Sequence, residues 1–310
     1  MSDLDTLLEK AAEWRGLPMA LATVVSTWGS APRPRGSHLL VHEDGRFEGS
    51  VSGGCVEADV LATAAEIIAG APAVVRHYGV SNDMAWEVGL PCGGEIAVLV
   101  QPVGDAGLPE SALDALAEAR RHGRGFTIST DLTTGKSVAG EREGQFVNRY
   151  GPPRRLLIVG AVQIAQALAS IARTLGLRPT IIDPRGRFLT EERFPDAELD
   201  DRWPDEAVAS RKPDTATAVV VLSHDPKIDD PALLAALATP TGYIAALGSR
   251  KNHAARLERL RAAGADPQAL SRIQGPAGLN IGAVGPAEIA LSIAAAMIVA
   301  FNDPACHDPG

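Results

Sequence analysis

Residues 156–169 read LLIVGAVQIAQALA: an apolar run, a glycine at position 160, and the start of a segment with helical periodicity. A strand, a glycine and a helix in that order mark the place where a doubly wound fold turns backbone N–H groups toward the pyrophosphate of a dinucleotide. Downstream, the runs RPTIIDP (178–184), TAVVVLSHD (217–225) and GYIAALGS (242–249) alternate with helical stretches. Helices are expected from the glycine turn through Leu175, over 230–238, over 251–263 and over 286–300, with a further strand over 280–284. Apolar strands alternating with helices argue for a parallel sheet covered on both faces, so residues 151–310 are expected to form a Rossmann-like domain. The dinucleotide fingerprint is incomplete, because Val162 stands where the second glycine would let a phosphate approach. Asp183 follows Gly160 by 23 positions, where an acidic residue would meet a ribose hydroxyl. Gly160 and Asp183 are therefore the candidate nucleotide contacts, and NAD(P) is the ligand they would take. The competing reading is a domain that kept this topology without tight nucleotide binding.

Working back from that turn, Gly151-Pro152-Pro153 combines turn formers with no apolar periodicity, and the domain boundary is expected there. Residues 1–150 read as a mixed α/β domain. A helix is expected over 3–15, a buried strand over 19–28, and a hairpin turned by Asp44-Gly45 between 37–43 and 46–51. A helix follows from Val56 to about Ala69, then strands over 73–80 and 95–103, a helix near 110–122 and a strand in GFTISTDL (125–132). The remainder up to residue 150 reads as a polar segment.

The chain has 310 residues, a formal net charge of −9, 45% hydrophobic and 22% charged residues. That charge disfavours polyanionic partners such as nucleic acid. No uninterrupted apolar stretch approaches the roughly 18 residues of a membrane span, and the acidic start MSDLDTLLEKAAEW lacks the features of a signal peptide. A cytoplasmic protein with no membrane association is expected. Its 3 cysteines do not suggest a disulfide framework.

Two of those cysteines sit in glycine loops rather than on apolar faces: Cys55 in GSVSGGCVEADV (49–60) and Cys92 in PCGGEI (91–96). Gly53 and Gly54 precede a helix whose N-terminal N–H groups attract anions, and a cysteine there has its thiolate favoured by the helix dipole. Gly93 and Gly94 repeat the pattern at the mouth of a strand. Arg33 and Arg35, in the rigid loop GSAPRPRG (29–36), suit a phosphate or carboxylate. Two cysteines do not make a zinc site, and the nearest histidines, His38 and His77, show no zinc spacing. Cys306 in the tail reads as incidental.

Taken with IIDPRGRF (181–188), RFPDA (193–197), VVVLSHD, YIAALGSRKN (243–252) and GPAGLNIGAVGPAEIALSI (275–293), these segments resemble the XdhC/CoxI family, in the same order and over nearly the whole chain. The resemblance implies a cysteine-bearing N-terminal domain followed by a Rossmann domain. It implies an accessory protein, more a cofactor chaperone than an enzyme, that binds molybdenum cofactor as molybdopterin or its dinucleotide. Such a protein assists sulfuration by a cysteine desulfurase and insertion into an apo molybdenum hydroxylase of the xanthine dehydrogenase type. By that resemblance Cys55 and Cys92 are the soft ligands or sulfur carriers, with Arg33, Arg35, Gly53, Gly54, Gly93 and Gly94 around the cargo, and a homo-oligomer is expected. Val162 and Gln163 depart from the glycine and histidine usual after Gly160-Ala161. Two other readings stay open: an NAD(P)-dependent oxidoreductase using Cys55 as a redox or nucleophilic group, and a docking scaffold for a desulfurase and its client.

Overall fold

The computed structural model describes residues 2–54, 56–79 and 94–302. The chain divides into two compact units, Ser2–Pro152 and a second that begins at Pro153.

The N-terminal unit comprises α1 (Asp3–Glu13), β1 (Met19–Trp28), β2 (His38–His42), β3 (Phe47–Gly49), α2 (Glu57–Ile68), β4 (Val74–Tyr78), β5 (Glu95–Val103), α3 (Glu110–Arg121), β6 (Phe126–Thr130), β7 (Ser137–Ala139) and β8 (Phe146–Tyr150). An antiparallel sheet runs in the order β3-β2-β1-β5-β4, and a small one in the order β7-β6-β8. Side chains alternate across β1, and so do its packing partners. Ala20, Ala22 and Val24 pack with Val60, Ala64 and Ile67 of α2. Met19 and Leu21 pack with Leu7 and Leu8 of α1 and Leu113 and Leu116 of α3. A bulge between Val24 and Ser26 breaks this alternation: Val25 packs with Ala97, Leu99 and Phe146, and Ser26, now opposite Ala97, shares its face.

Ser2 and Asp5 form a capping box at the start of α1. The Asp5 carboxylate also receives Arg120 Nε at 2.7 Å, a buried ion pair that ties α1 to α3. Burial works to raise this carboxyl, but the hydrogen bond and charge of Arg120 outweigh it and hold the group below its ordinary range. The segment expected to be merely polar carries β7 and β8. These are short strands of a small sheet with half-exposed faces, so their sequence lacks the apolar run that marked the others.

The C-terminal unit contains β9 (Arg155–Val159), α4 (Gln163–Thr174), β10 (Arg178–Ile182), β11 (Glu198–Asp200), α5 (Pro204–Ser210), β12 (Thr217–Val221), α6 (Pro226–Leu237), β13 (Tyr243–Ala246), α7 (Arg250–Ala262), α8 (Pro267–Leu270), β14 (Ile273–Gln274) and α9 (Pro286–Phe301). Its six strands pair only in parallel, in the order β11-β10-β9-β12-β13-β14. Counted from β9 as the first strand, this is the 3-2-1-4-5-6 order of a dinucleotide-type Rossmann sheet, with its switch point between β9 and β12. Leu156, Ile158, Val220 and Ala245 meet α4 and α9 through Leu168, Ala172, Ile293 and Met297. The alternate positions Leu157, Val159, Val219 and Ile244 meet Val208, Ala232, Leu233 and Leu260 on the other face. Double coverage explains why these strands read as continuous apolar runs. The strand expected over 280–284 is absent. The sixth strand is Ile273–Gln274, and residues 280–284 form a loop leading into α9.

Candidate functional site

One end of the N-terminal sheet gathers the loops that the sequence singled out. The antiparallel register places Trp28, at the end of β1, opposite Glu95, at the start of β5, and Tyr78, at the end of β4, opposite Ile96. Gly49, at the end of β3, faces Leu39, near the start of β2. Consequently the arginine loop after β1, the glycine loop after β3 and the segment entering β5 at Gly94 all belong to this edge. Cys55, Cys92 and Gly93 lie outside the described residues. Their flanking positions Gly54, Val56 and Gly94 are described. Gly94 makes a close backbone approach, since a Cβ there would stand 2.6 Å from the Ser30 carbonyl oxygen.

The glycine loop folds around an internal anion. The Glu57 carboxylate accepts from Ser50 Oγ at 2.7 Å, from the N–H groups of Ser52 at 2.9 Å, Gly53 at 3.0 Å and Gly54 at 2.8 Å, and from Ser52 Oγ. Burial raises its pKa, yet the serine hydroxyls and the loop N–H groups prevail and bring it down to about 2. This differs from the expectation that the Gly53 and Gly54 N–H groups await an external phosphate: the first turn of α2 supplies its own carboxylate. Both glycines adopt left-handed φ, +78° and +117°, which the wrap around Glu57 requires. Among the described residues, a Cβ at either position would meet no atom within 4 Å.

The two arginines are held differently. Arg33 Nη1 donates to Asp3 at 2.9 Å in an exposed pair, a kind of contact worth less than about 1 kcal/mol. Arg35 donates to the carbonyls of Val25 at 3.3 Å and Val147 at 3.1 Å and lies over the Phe146 ring, which fixes it beside the β1 bulge. Near Arg33, a cleft of about 130 Å³ is lined by Leu4, Leu7, His38, Ser50 and Tyr150. His38 joins the two sheets through Thr23 at 2.9 Å, Tyr150 at 3.0 Å and Asn148 at 3.3 Å. Burial pushes it down to about 4, so its imidazole is neutral near pH 7. Among the described residues no group of three or more His, Cys, Asp or Glu side chains is arranged to hold a metal ion.

At the Rossmann crest, Asp183 is fully buried and its carboxylate is surrounded by donors. It accepts from the Ala161 N–H at 2.8 Å and from the Arg185 N–H, Nε and Nη2 at 2.9, 2.8 and 2.8 Å. Burial raises this carboxyl, but Arg185 and the Ala161 N–H dominate and hold it below the usual range. The arrangement differs from the sequence expectation, since a ribose hydroxyl finds the Asp183 oxygens already bonded. Gly160 adopts φ +105°, and a Cβ there would stand 2.7 Å from the Ser223 nitrogen. The room its missing side chain leaves is filled by the crest of β12 rather than left for a phosphate. Beside it lies a buried set that the sequence reading missed: Ser223 Oγ donates to Asp229 at 2.6 Å, and Arg256 stands 3.7 Å from the same carboxylate. Burial raises the Asp229 pKa. SHDPKIDD (223–230) carried a signal for this set, as Asp229 falls one helical turn after the capping Asp225 and on the buried side of α6.

The C-terminal unit is thus a Rossmann domain with an internally closed nucleotide turn, joined in sequence to an antiparallel α/β unit with a loop-rich sheet end. The family model described as the XdhC Rossmann domain matches residues 156–297, and that of the XdhC and CoxI family matches residues 14–79. An Escherichia coli (strain K12) protein named molybdenum cofactor insertion chaperone PaoD is 31% identical over 306 residues, covering 94% of this chain and 87% of the relative. A Bacillus subtilis (strain 168) protein named as a probable xanthine dehydrogenase subunit is 27% identical, covering 95% of each. A crystal structure described as that of a xanthine dehydrogenase from Bacillus halodurans superposes with a TM-score of 0.82 at 27% identity, covering 98% of this chain and 97% of that one. The chain belongs to the XdhC and CoxI family.

Proposed function

We propose that this protein carries molybdenum cofactor as cargo, assists its sulfuration together with a cysteine desulfurase, and delivers it to an apo molybdenum hydroxylase of the xanthine dehydrogenase type. The observation that carries this reading is the meeting, at one sheet end, of the arginine loop, the glycine loop over 50–54, next in sequence to Cys55, and the segment that enters β5 at Gly94, two positions after Cys92 in sequence. The kinship with a protein named as a molybdenum cofactor insertion chaperone supports it. The cargo joins an anionic phosphate to a soft metal-sulfur centre. Guanidinium groups suit the first and thiolates the second.

Because the glycine N–H groups are bonded to Glu57, the phosphate falls to Arg33 and Arg35. Arg33 exchanges its exposed Asp3 partner for the stronger anion at little cost. Cys55 and Cys92 act as soft ligands or sulfur carriers, and Gly53, Gly54, Gly93 and Gly94 keep the backbone slim around them. A carrier must release its load, which favours a pair of thiols over a closed cage. The same reading makes the protein a cytoplasmic homo-oligomer.

The test loads purified protein anaerobically with cofactor released from a molybdenum hydroxylase, desalts it, and measures retained molybdenum and pterin. Wild type is expected to retain both, and Cys55→Ala and Cys92→Ala to retain clearly less. Equal retention by both variants would sink the thiol roles, and no retention by wild type would sink the carrier reading. The desulfurase role is checked by pull-down and by transfer of labelled sulfur to the bound cargo.

A further inference from the structure

The upper rows of β1, β5 and β4 form a groove on the sheet face turned away from α2. Register puts Ser26, Ala97 and His77 side by side, with Trp28 and Glu95 in the next row. The intervening positions Thr27, Ile96 and Tyr78 point to the other face, as the Tyr78 hydroxyl shows by donating to Asp59 of α2 at 2.6 Å. The groove has a volume of about 320 Å³, at the small end for a ligand pocket. Trp28 is 69% exposed within it. Among the described residues, neither the Glu95 nor the His77 side chain has a hydrogen-bond or ion-pair partner. Gly79 makes the room in which Glu95 lies: a Cβ there would stand 2.6 Å from the Glu95 Cγ.

We propose that this groove recognises the flat pterin end of the cargo, with Trp28 against the ring face and Glu95 accepting from adjacent N–H groups of the aminopyrimidinone edge. This rests on the carrier reading above and adds to it the residues that select the heterocycle. An exposed indole offers a large rigid face for stacking. A carboxylate accepting two parallel N–H bonds pairs with a planar amidine-like edge as it does with a guanidinium. The charge of Glu95 also repels phosphate, so the groove takes the ring and leaves the anionic end to the arginine loop. Arg35 marks the transition, since it is bonded to the carbonyl of Val25, the residue before Ser26. His77 and Ser26 line the same face and supply hydrogen bonds to the remaining ring atoms.

The experiment titrates the full chain with neopterin, which has the aminopyrimidinone edge, and with the lumazine that carries the same trihydroxypropyl side chain, in which an oxygen replaces the exocyclic amine, reading pterin fluorescence and binding heat. Neopterin is expected to bind saturably and lumazine about tenfold or more weaker, the effect of losing a hydrogen bond to a charged acceptor. Glu95→Gln and Trp28→Ala are each expected to weaken neopterin about tenfold or more. Gly79→Ala, which displaces Glu95 but keeps its charge, is expected to fall between wild type and Glu95→Gln. Unchanged circular dichroism and melting of these variants show that their folds are intact. Equal binding of the two probes, wild-type affinity in Glu95→Gln and Trp28→Ala, or no neopterin binding at all would overturn the groove. Retention of intact cofactor by wild type and by Glu95→Gln alike would sink the groove and leave the carrier reading standing. Neopterin binding without retention of cofactor would do the reverse.

Discussion

The glycine loop before α2 and the glycine turn before α4 look alike in sequence, and in the structure each closes around a carboxylate from its own chain. Glu57 fills the first and Asp183 the second. They differ in what surrounds that carboxylate. Around Glu57 the donors are serine hydroxyls and loop N–H groups, and among the described residues nothing stands within 4 Å of where a side chain on Gly53 or Gly54 would begin. Around Asp183 a guanidinium completes the set, the carboxylate is buried, and the backbone of Ser223 packs against Gly160. One turn is a loop shaped next to a solvent-facing edge, whereas the other is a sealed joint between strands. Glycine patterns therefore report where backbone must come close to an anion, and the anion can be the chain's own.

The contrast can be broken most severely at the sealed joint. Asp183→Ala leaves the buried Ala161 N–H and the partly exposed Arg185 without their acceptor, and a loss of about 3 kcal/mol is expected, read as a fall in the denaturant midpoint of the C-terminal unit. Gly160→Ala combines a left-handed backbone with a contact to Ser223 and is expected to lower stability by about 2–3 kcal/mol in the same measurement.

Changes at the open loop should be milder. Glu57→Gln removes the charge but keeps an acceptor oxygen, with an expected loss of about 1–2 kcal/mol in thermal or chemical unfolding. Its pH dependence sharpens the comparison. Because the folded pKa is depressed to about 2 from an ordinary 4.5, the Glu57 contribution is complete above pH 4.5 and is lost as pH falls toward 2. Glu57→Gln should flatten the stability profile over that window; an unchanged profile would show that Glu57 does not anchor the loop. Smallest of all, Arg33→Ala should change stability by less than about 1 kcal/mol, because its partner Asp3 is exposed. The same variant should reduce cofactor retention in the desalting assay, separating binding from folding.

Much of the fold was legible because burial imposes a pattern. Strands β9, β10, β12 and β13 are covered on both faces, so each reads as an apolar run between turn formers. The strands β7 and β8 escaped notice because β7 is only three residues long and β8 mixes apolar with polar residues on partly exposed faces, so neither forms an apolar run. The sixth Rossmann strand escaped for another reason: Ile273 and Gln274 are too short a run to show alternation, while the apolar residues of 280–284 lie in a loop. At the site, residue type was legible and pairing was not. Asp183 announced an acid at the end of a strand, but nothing in the linear order showed that Arg185 and Ala161 would fill its lone pairs.

The sequence by itself determined that there would be a parallel sheet after residue 153, an α/β unit before it, and a glycine-bordered loop carrying Arg33 and Arg35. Periodicity and turn chemistry are local properties, written over a few adjacent residues. Only the tertiary structure decided which carboxylate each glycine turn would hold and which face of β1 would carry Trp28 to the side of Glu95. Those outcomes depend on strand register between residues some seventy positions apart and on a bulge that inverts the face of β1 from Ser26 onward. A shift of one residue exchanges the two faces of a strand, so the groove is a property of pairing rather than of composition.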